Sequence, residues 1–259
     1  MIPDRRRRRS HRALLGDDGA LCNVRRANRA TTIVRVGSSV TSLDVWYVDL
    51  DVGADVLSGF RHWLSGDELA KAERFRSELV CARYIAGRAS LRGVLAARLR
   101  CLPADVPLSY GTNGKPMLEG GRAPMEFNLA HCAGDAVIAL ARRAIIGVDI
   151  ERRQPIADVA SLARLVFSDR ERRELERAPD RAAAFLNGWT RKEAYVKALG
   201  LGLTAPLTEI TVSLRGRAAL LATGLPEHAA CNWRLLNLPH PRGVVALALG
   251  PRLDTTRTR

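Results

Sequence analysis

No apolar run in the 259-residue chain approaches the roughly 18 residues a membrane span needs, so no transmembrane helix and no membrane partner are expected. Arginines near the N-terminus are not followed by an apolar stretch, so no secretory leader is expected. The five cysteines (22, 81, 101, 132 and 231) contain no C-x-x-C pair and no zinc spacing. Scattered thiols of odd number fit a reducing compartment, and the expected location is cytoplasmic. Apart from one arginine run, there is no linker, low-complexity tract or short-period repeat.

Acidic charge is also in deficit: the formal net charge is +14. Half of that excess, +7, sits in residues 1–35, which include RRRRR at 5–9. Such a run can touch nucleic acid or an acidic membrane. It has no interleaved aromatics and no binding fold around it, so residues 1–42 read as a basic, disordered extension and no nucleic-acid partner is expected. The remaining charge, spread over the body, suits an acidic protein partner or a polyphosphate ligand.

What is present reads as α+β. LDVWYVDLDV alternates as a strand from about Ser42. Ser65 and Glu68 form a capping-box signature, with Leu64 and Leu69 at the staple positions. The helix they open reads as long, running through Ile85, Leu91 and Leu95 and ending before Pro103. PLSYGTNGKPML reads as strand, turn and extended chain, and EFNLAHCAGDAVIALARR as two strands around a polar loop. Ser168 with Glu171 is a second capping box, and Asp180 caps a helix over about 181–199 that Gly200 stops. TEITVSL, WRLLNL and VVALALG close the chain as strands. AVIALAR (136–142) and VVALALG (244–250) resemble each other, which suggests two similar halves, 43–143 and 144–250, with a polar tail at 251–259.

Two segments carry the chemistry. IIGVDIE is an apolar strand ending in Asp149 and Glu151, which alternation places on one side while Ile150 faces the other. WTRKEAYVK puts Trp189, Glu193 and Lys197 on one helix face at i, i+4, i+8, with Lys192 beside them. Three carboxylates are too few for an octahedral Mg²⁺, so phosphate oxygens and water would complete the sphere while lysines neutralise the phosphate. The plainer alternative is a strand end paired with Arg152 and Arg153, and an ordinary Glu193–Lys197 surface pair worth a few tenths of a kcal/mol. Three smaller pieces accompany them: Gly114-Lys115-Pro116 in a tight turn, Phe127, Asn128 and His131 at a strand–loop junction, and Arg83 and Arg88 on the first long helix.

In this order and spacing, IGVDIE followed by WTRKEAYVKALGLGL resembles the surfactin-type 4′-phosphopantetheinyl transferases, the Sfp family, through their GxDxE and WxxKEAxxK signatures. The resemblance covers roughly residues 43–250. It implies the 4′-phosphopantetheinyl transferase fold: two similar α/β halves with pseudo-twofold symmetry and coenzyme A in the cleft between them. By match to the family motifs, Asp149, Glu151 and Glu193 hold Mg²⁺, or manganese in its place. Lys197, with Lys192, meets the pyrophosphate, and Lys115 and Pro116 hold adenine. Lys71, Arg83 and His131 surround the 3′-phosphate and pyrophosphate. Ala130 replaces a serine of the motif, so one hydroxyl contact to phosphate is lost. The implied reaction modifies a serine of an apo acyl carrier protein or peptidyl carrier domain, with Glu193 and Lys197 catalytic and the enzyme a monomer. The rival functions are a basic nucleic-acid-binding protein and a non-catalytic coenzyme A-binding module.

Overall fold

The computed structural model describes residues 23–26, 32–37, 39–111, 113–119, 125–225 and 228–252. The arginine run at 5–9 and residues 253–259 of the expected tail lie outside them.

The first part of the chain supplies β1 (Val24–Arg26), β2 (Thr32–Val36) and β3 (Ser39–Asp49), then α1 (Ala54–Arg61), α2 (Gly66–Glu73) and α3 (Glu78–Leu99). A hairpin of β4 (Leu108–Tyr110) and β5 (Pro116–Leu118) follows, then β6 (Met125–Cys132) and β7 (Asp135–Arg142). The second part begins with β8 (Ala144–Arg152), α4 (Val159–Val166), α5 (Asp169–Glu176) and α6 (Arg181–Leu199). It ends with β9 (Thr211–Val212), β10 (Leu220–Ala222), β11 (Arg234–Leu238) and β12 (Gly243–Pro251).

Alternation along the strands stacks these elements into four layers. In the first antiparallel sheet β1, β3, β7 and β6 lie in that order, with β2 also on β3. One face of this sheet, with Trp46, Val48, Leu50, Ile138 and Leu140, packs on Ile85, Leu91 and Leu95 from α3 and its neighbours. Its other face, with Val45, Val137 and Ala139, meets Ile146, Val148, Ile150, Val245 and Leu247. Those residues belong to a second antiparallel sheet, ordered β11-β12-β8. The outer face of that sheet, with Ala246 and Ala248, packs on α6 through Ala194, Tyr195 and Ala198. Each large apolar side chain buried this way contributes roughly 1.5–3 kcal/mol, so the middle layer clamps the two sheets together. The chain crosses from one sheet to the other at Arg143, which takes a left-handed turn with φ of 60°.

Three expectations need correction. Strands β1 and β2 lie within the segment read as a disordered extension, and β3 starts at Ser39 rather than Ser42. Thr32–Val36 registers against Ser39–Leu43 and Val36 enters the core between the sheets, so hairpin pairing and this burial order the segment. The long helix capped at Ser65 breaks at Arg74 to Ser77, where Ser77 caps α3 afresh. The strand expected over TEITVSL is only the pair Thr211–Val212. Both capping boxes form as read, at Ser65–Glu68 and Ser168–Glu171.

Candidate active site

The site is built where α6 lies against β8. Gly147 makes that approach possible. A Cβ there would stand inside van der Waals contact with the Ala194 carbonyl oxygen and the Ala198 nitrogen, and 2.9 Å from Ala198 Cα. Two and four residues further along the same strand face come Asp149 and Glu151, so the glycine brings the helix within reach of both carboxylates. Gly147→Ala should therefore push α6 off the sheet and cost about 1–3 kcal/mol or more. Thermal unfolding with steady-state turnover on the same sample checks it: both should fall together.

The helix face answers the strand face. Lys197 Nζ donates to Asp149 Oδ1. Trp189 Nε1 donates to Glu151 Oε1 at 3.0 Å. Glu193, between them on the helix, lines the cleft. Asp149 is 4% exposed, and burial, opposed by Lys197, holds its carboxyl up at about 6; Glu151 and Glu193 add to the rise. Burial also raises Glu193, with Lys197 opposing and Glu151 reinforcing it. Negative charge on neighbouring carboxylates thus adds to the rise at both groups.

Among the described residues Asp149 Oδ2 is buried with no hydrogen-bond partner. An all-oxygen donor set with one orphaned carboxylate oxygen fits a hard divalent cation. No three His, Cys, Asp or Glu side chains among the described residues close on one point. The carboxylates thus offer part of a coordination sphere, with ligand oxygens and water left to supply the rest.

Two cavities open beside this cluster. One, of about 380 Å³, is lined by Lys115, Pro116, His131, Glu193 and Lys197, among others. The other, of about 420 Å³, is lined by Lys71, Arg83 and His131. Arg88, Leu129 and His131 belong to both, so the cavities meet at these residues. His131 sits among cations: burial, then Lys197 and Arg88, lower its pKa from the ordinary histidine value. Arg83 binds Asp51 through Nε at 2.6 Å and Nη2 at 3.0 Å. The β4–β5 hairpin closes the first cavity by docking on the C-terminal end of α6. Lys115 Nζ donates to the Ala198 carbonyl at 2.9 Å and Asn113 Nδ2 to the Gly200 carbonyl at 2.7 Å. Asn128 Oδ1 accepts from the Val148 amide at 2.9 Å and so ties β6 to β8 beneath the cleft.

Two sequence expectations fail here. Lys192 does not face the cleft. It is fully buried on the other side of α6, with its ammonium on Glu171 at 2.6 Å and on the Val166 and Leu207 carbonyls at 2.7 Å each. Neighbouring helix positions point about 100° apart, so Lys192 cannot share the Glu193 face. Ala130 is 2% exposed and packs in the core between the sheets. Alternation turns it opposite to Leu129 and His131, which line the cleft, so a serine side chain there would meet the core between the sheets. Asp51, Tyr84 and Tyr110 also stand at this wall, beside the two arginines that the sequence marks on the first long helix. Only the aromatic character of the tyrosines hinted at them, and nothing in the sequence paired Asp51 with Arg83.

Residues 145–248 match the model of the 4′-phosphopantetheinyl transferase superfamily. The 4′-phosphopantetheinyl transferase HetI of Nostoc sp. is 36% identical over 211 residues, 79% of this chain and 86% of that protein. A putative 4′-phosphopantetheinyl transferase of Synechocystis sp. is 32% identical over 75% of this chain and 79% of its own length. The 4′-phosphopantetheinyl transferase Sfp of Bacillus subtilis is 27% identical, over 71% and 82% respectively. With relatives this similar over this much of its length, the chain belongs to the 4′-phosphopantetheinyl transferase family.

Proposed function

We propose that the protein moves the 4′-phosphopantetheine group of coenzyme A onto a serine hydroxyl of an apo carrier protein and releases adenosine 3′,5′-bisphosphate. The observation that carries this reading is the meeting of two cavities at Arg88 and His131, beside a carboxylate trio with an unpartnered Asp149 oxygen. A cation-lined cleft next to a carboxylate cluster suits a polyphosphate ligand that brings a divalent cation with it. Asp149, Glu151 and Glu193 would hold Mg²⁺, or manganese in its place, and the ion supplies charge neutralisation on the pyrophosphate when bound.

The side chains supply the rest. Lys197 stands between Asp149 and the cleft and balances phosphate charge as a point cation. The hairpin at Lys115 and Pro116 would close over the adenine end, and Lys71, Arg83 and His131 line the cavity that would take phosphate oxygens. The serine oxygen attacks the β-phosphorus. A new P–O bond forms, the bond to the bridging oxygen of the pyrophosphate breaks, and the leaving nucleotide carries that electron pair away. The serine proton passes to the Glu193 carboxylate oxygen left free of the cation, directly or through a water, since Glu193 lines the cleft. No enzyme nucleophile is needed, because this chemistry rests on positioning and electrostatics.

Carrier proteins rich in acidic residues would be steered by the basic body. One chain supplies both walls of the cleft, which supports a monomer. Among the described residues Cys81, Cys101, Cys132 and Cys231 are free thiols, and no helix is long and apolar enough to cross a membrane. Free thiols suit a reducing compartment such as the cytoplasm.

Mass spectrometry of apo carriers incubated with coenzyme A, Mg²⁺ and the protein tests the reading. Fatty-acid, polyketide and peptide carriers are run side by side. At least one should gain the mass of one phosphopantetheine. Binding of coenzyme A with no mass gain on any carrier would instead favour the non-catalytic module.

A further inference from the structure

Two arginines on α3 stand on the wall of the cleft, and they are held in different ways. Arg83 spends two donors on the Asp51 carboxylate, which also balances its charge. Arg88 lies against aromatic rings instead, 5.6 Å from the Tyr84 centroid and 5.5 Å from that of Tyr110. Ring faces attract a guanidinium without consuming its N–H donors. Among the described residues Arg88 Nη1 is buried and has no hydrogen-bond partner. A buried cationic donor without an acceptor is costly, and a native structure keeps one where a ligand supplies the missing oxygen.

The support beneath Arg88 is rigid. The Tyr110 hydroxyl donates to Glu68 Oε1 at 3.0 Å, and burial pushes this phenol up to about 12, so it stays a neutral donor. Glu68 is in turn fixed by Arg92 at 2.7 Å, with both side chains buried, and by the Ser65 capping box. The ring under Arg88 is therefore anchored through three further residues to the start of α2. Such a platform holds a planar guanidinium in one orientation, as phosphate recognition requires.

We infer that Arg88 is a ligand-binding residue whose Nη1 takes a phosphate oxygen of bound coenzyme A where the two cavities meet. This rests on the reading of the cleft as the coenzyme A site. It gives Arg88 a role different from that of Arg83: Arg88 brings a donor with no partner of its own to the phosphate, while Arg83 already shares two donors with Asp51.

Calorimetric titration with coenzyme A, on wild type, Arg88→Met and Arg88→Lys, tests the inference, with thermal unfolding of each ligand-free protein. Arg88→Met should weaken binding about 10- to 100-fold, the range for one charged hydrogen bond. Arg88→Lys should recover part of it, since it restores the charge without the fork. Ligand-free Arg88→Met should melt no lower than wild type, because it removes a buried unpaired donor. Affinity of Arg88→Met within twofold of wild type overturns the inference. So does a ligand-free melting point several degrees lower with affinity lost in step, which marks a structural role. Wild type that binds no coenzyme A overturns the reading of the cleft as well, and is told apart because the failure is then in the unmutated protein.

Discussion

Lys192→Met destabilises the protein by about 3–5 kcal/mol while leaving the KM for coenzyme A of the folded enzyme unchanged. The ammonium has three donors and three acceptors: Glu171, the Val166 carbonyl and the Leu207 carbonyl. Neither side chain of the pair is exposed. Removing the lysine strands the Glu171 carboxylate in the interior, where it keeps only the Ser168 and Val212 amides. An uncompensated buried charge costs more than the pair was worth, and this sets the size of the effect. In a chain of this length it should appear as a melting temperature lower by roughly 10 °C. The double variant Lys192→Met/Glu171→Gln should recover most of the loss, since no bare charge remains. A KM that rises tenfold in the single variant would put Lys192 back in the cleft and sink this assignment.

Lys192 also shows where the sequence was legible and where it was not. Short-range rules worked. Alternation placed Asp149 and Glu151 together, helical spacing placed Trp189, Glu193 and Lys197 together, and the structure joins the two sets through Trp189–Glu151 and Lys197–Asp149. Both capping boxes were visible as four-residue patterns, and the Gly200 stop of α6 takes its left-handed conformation, with φ of 73°. What failed depended on partners far away in the chain. Lys192 pairs with Glu171, whose capping-box role gave no sign that its carboxylate was also a buried counterion. Ala130 was read by motif position, but alternation from His131 already pointed it to the core. Arg88 could not be sorted from Arg83, because only the fold puts Asp51 beside one and Tyr110 beside the other. The chain has only four lysines, at 71, 115, 192 and 197, in a set of 41 basic residues. Three of them line the cleft, and the fourth fills a pocket of carbonyls that a fork-shaped guanidinium would not fit. Lysine identity was therefore the better guide to a special environment, and its direction was the part that needed the fold.

Asp149→Asn should abolish most turnover and yet yield a more stable ligand-free protein. Loss of turnover is expected to reach a hundredfold or more, on the order seen when one charge-stabilising group leaves an active site. The gain in stability follows from the carboxyl's own titration. Its ordinary value is 3.8, and burial in the folded protein holds it at about 6 in spite of Lys197. The unfolded chain therefore ionises first as pH rises. Below the lower value both states carry the proton and there is no penalty. Between the two values the folded state binds more protons, so stability falls as pH rises; above about 6 the whole penalty is present. Asparagine mimics the protonated acid and escapes it. A shift of this size corresponds to about 3 kcal/mol at most, so the variant should melt several degrees higher at pH 7.5 and about level with wild type near pH 4. Mg²⁺ should reverse the order, raising the melting temperature of wild type and not of the variant, because a cation that binds only the folded state stabilises it. Thermal scans at both pH values, with and without Mg²⁺, read all of this from one plate. A variant that turns over at wild-type rate would falsify the metal assignment. A variant that melts lower at pH 7.5 would mean the Lys197–Asp149 pair outweighs the desolvation of the carboxylate.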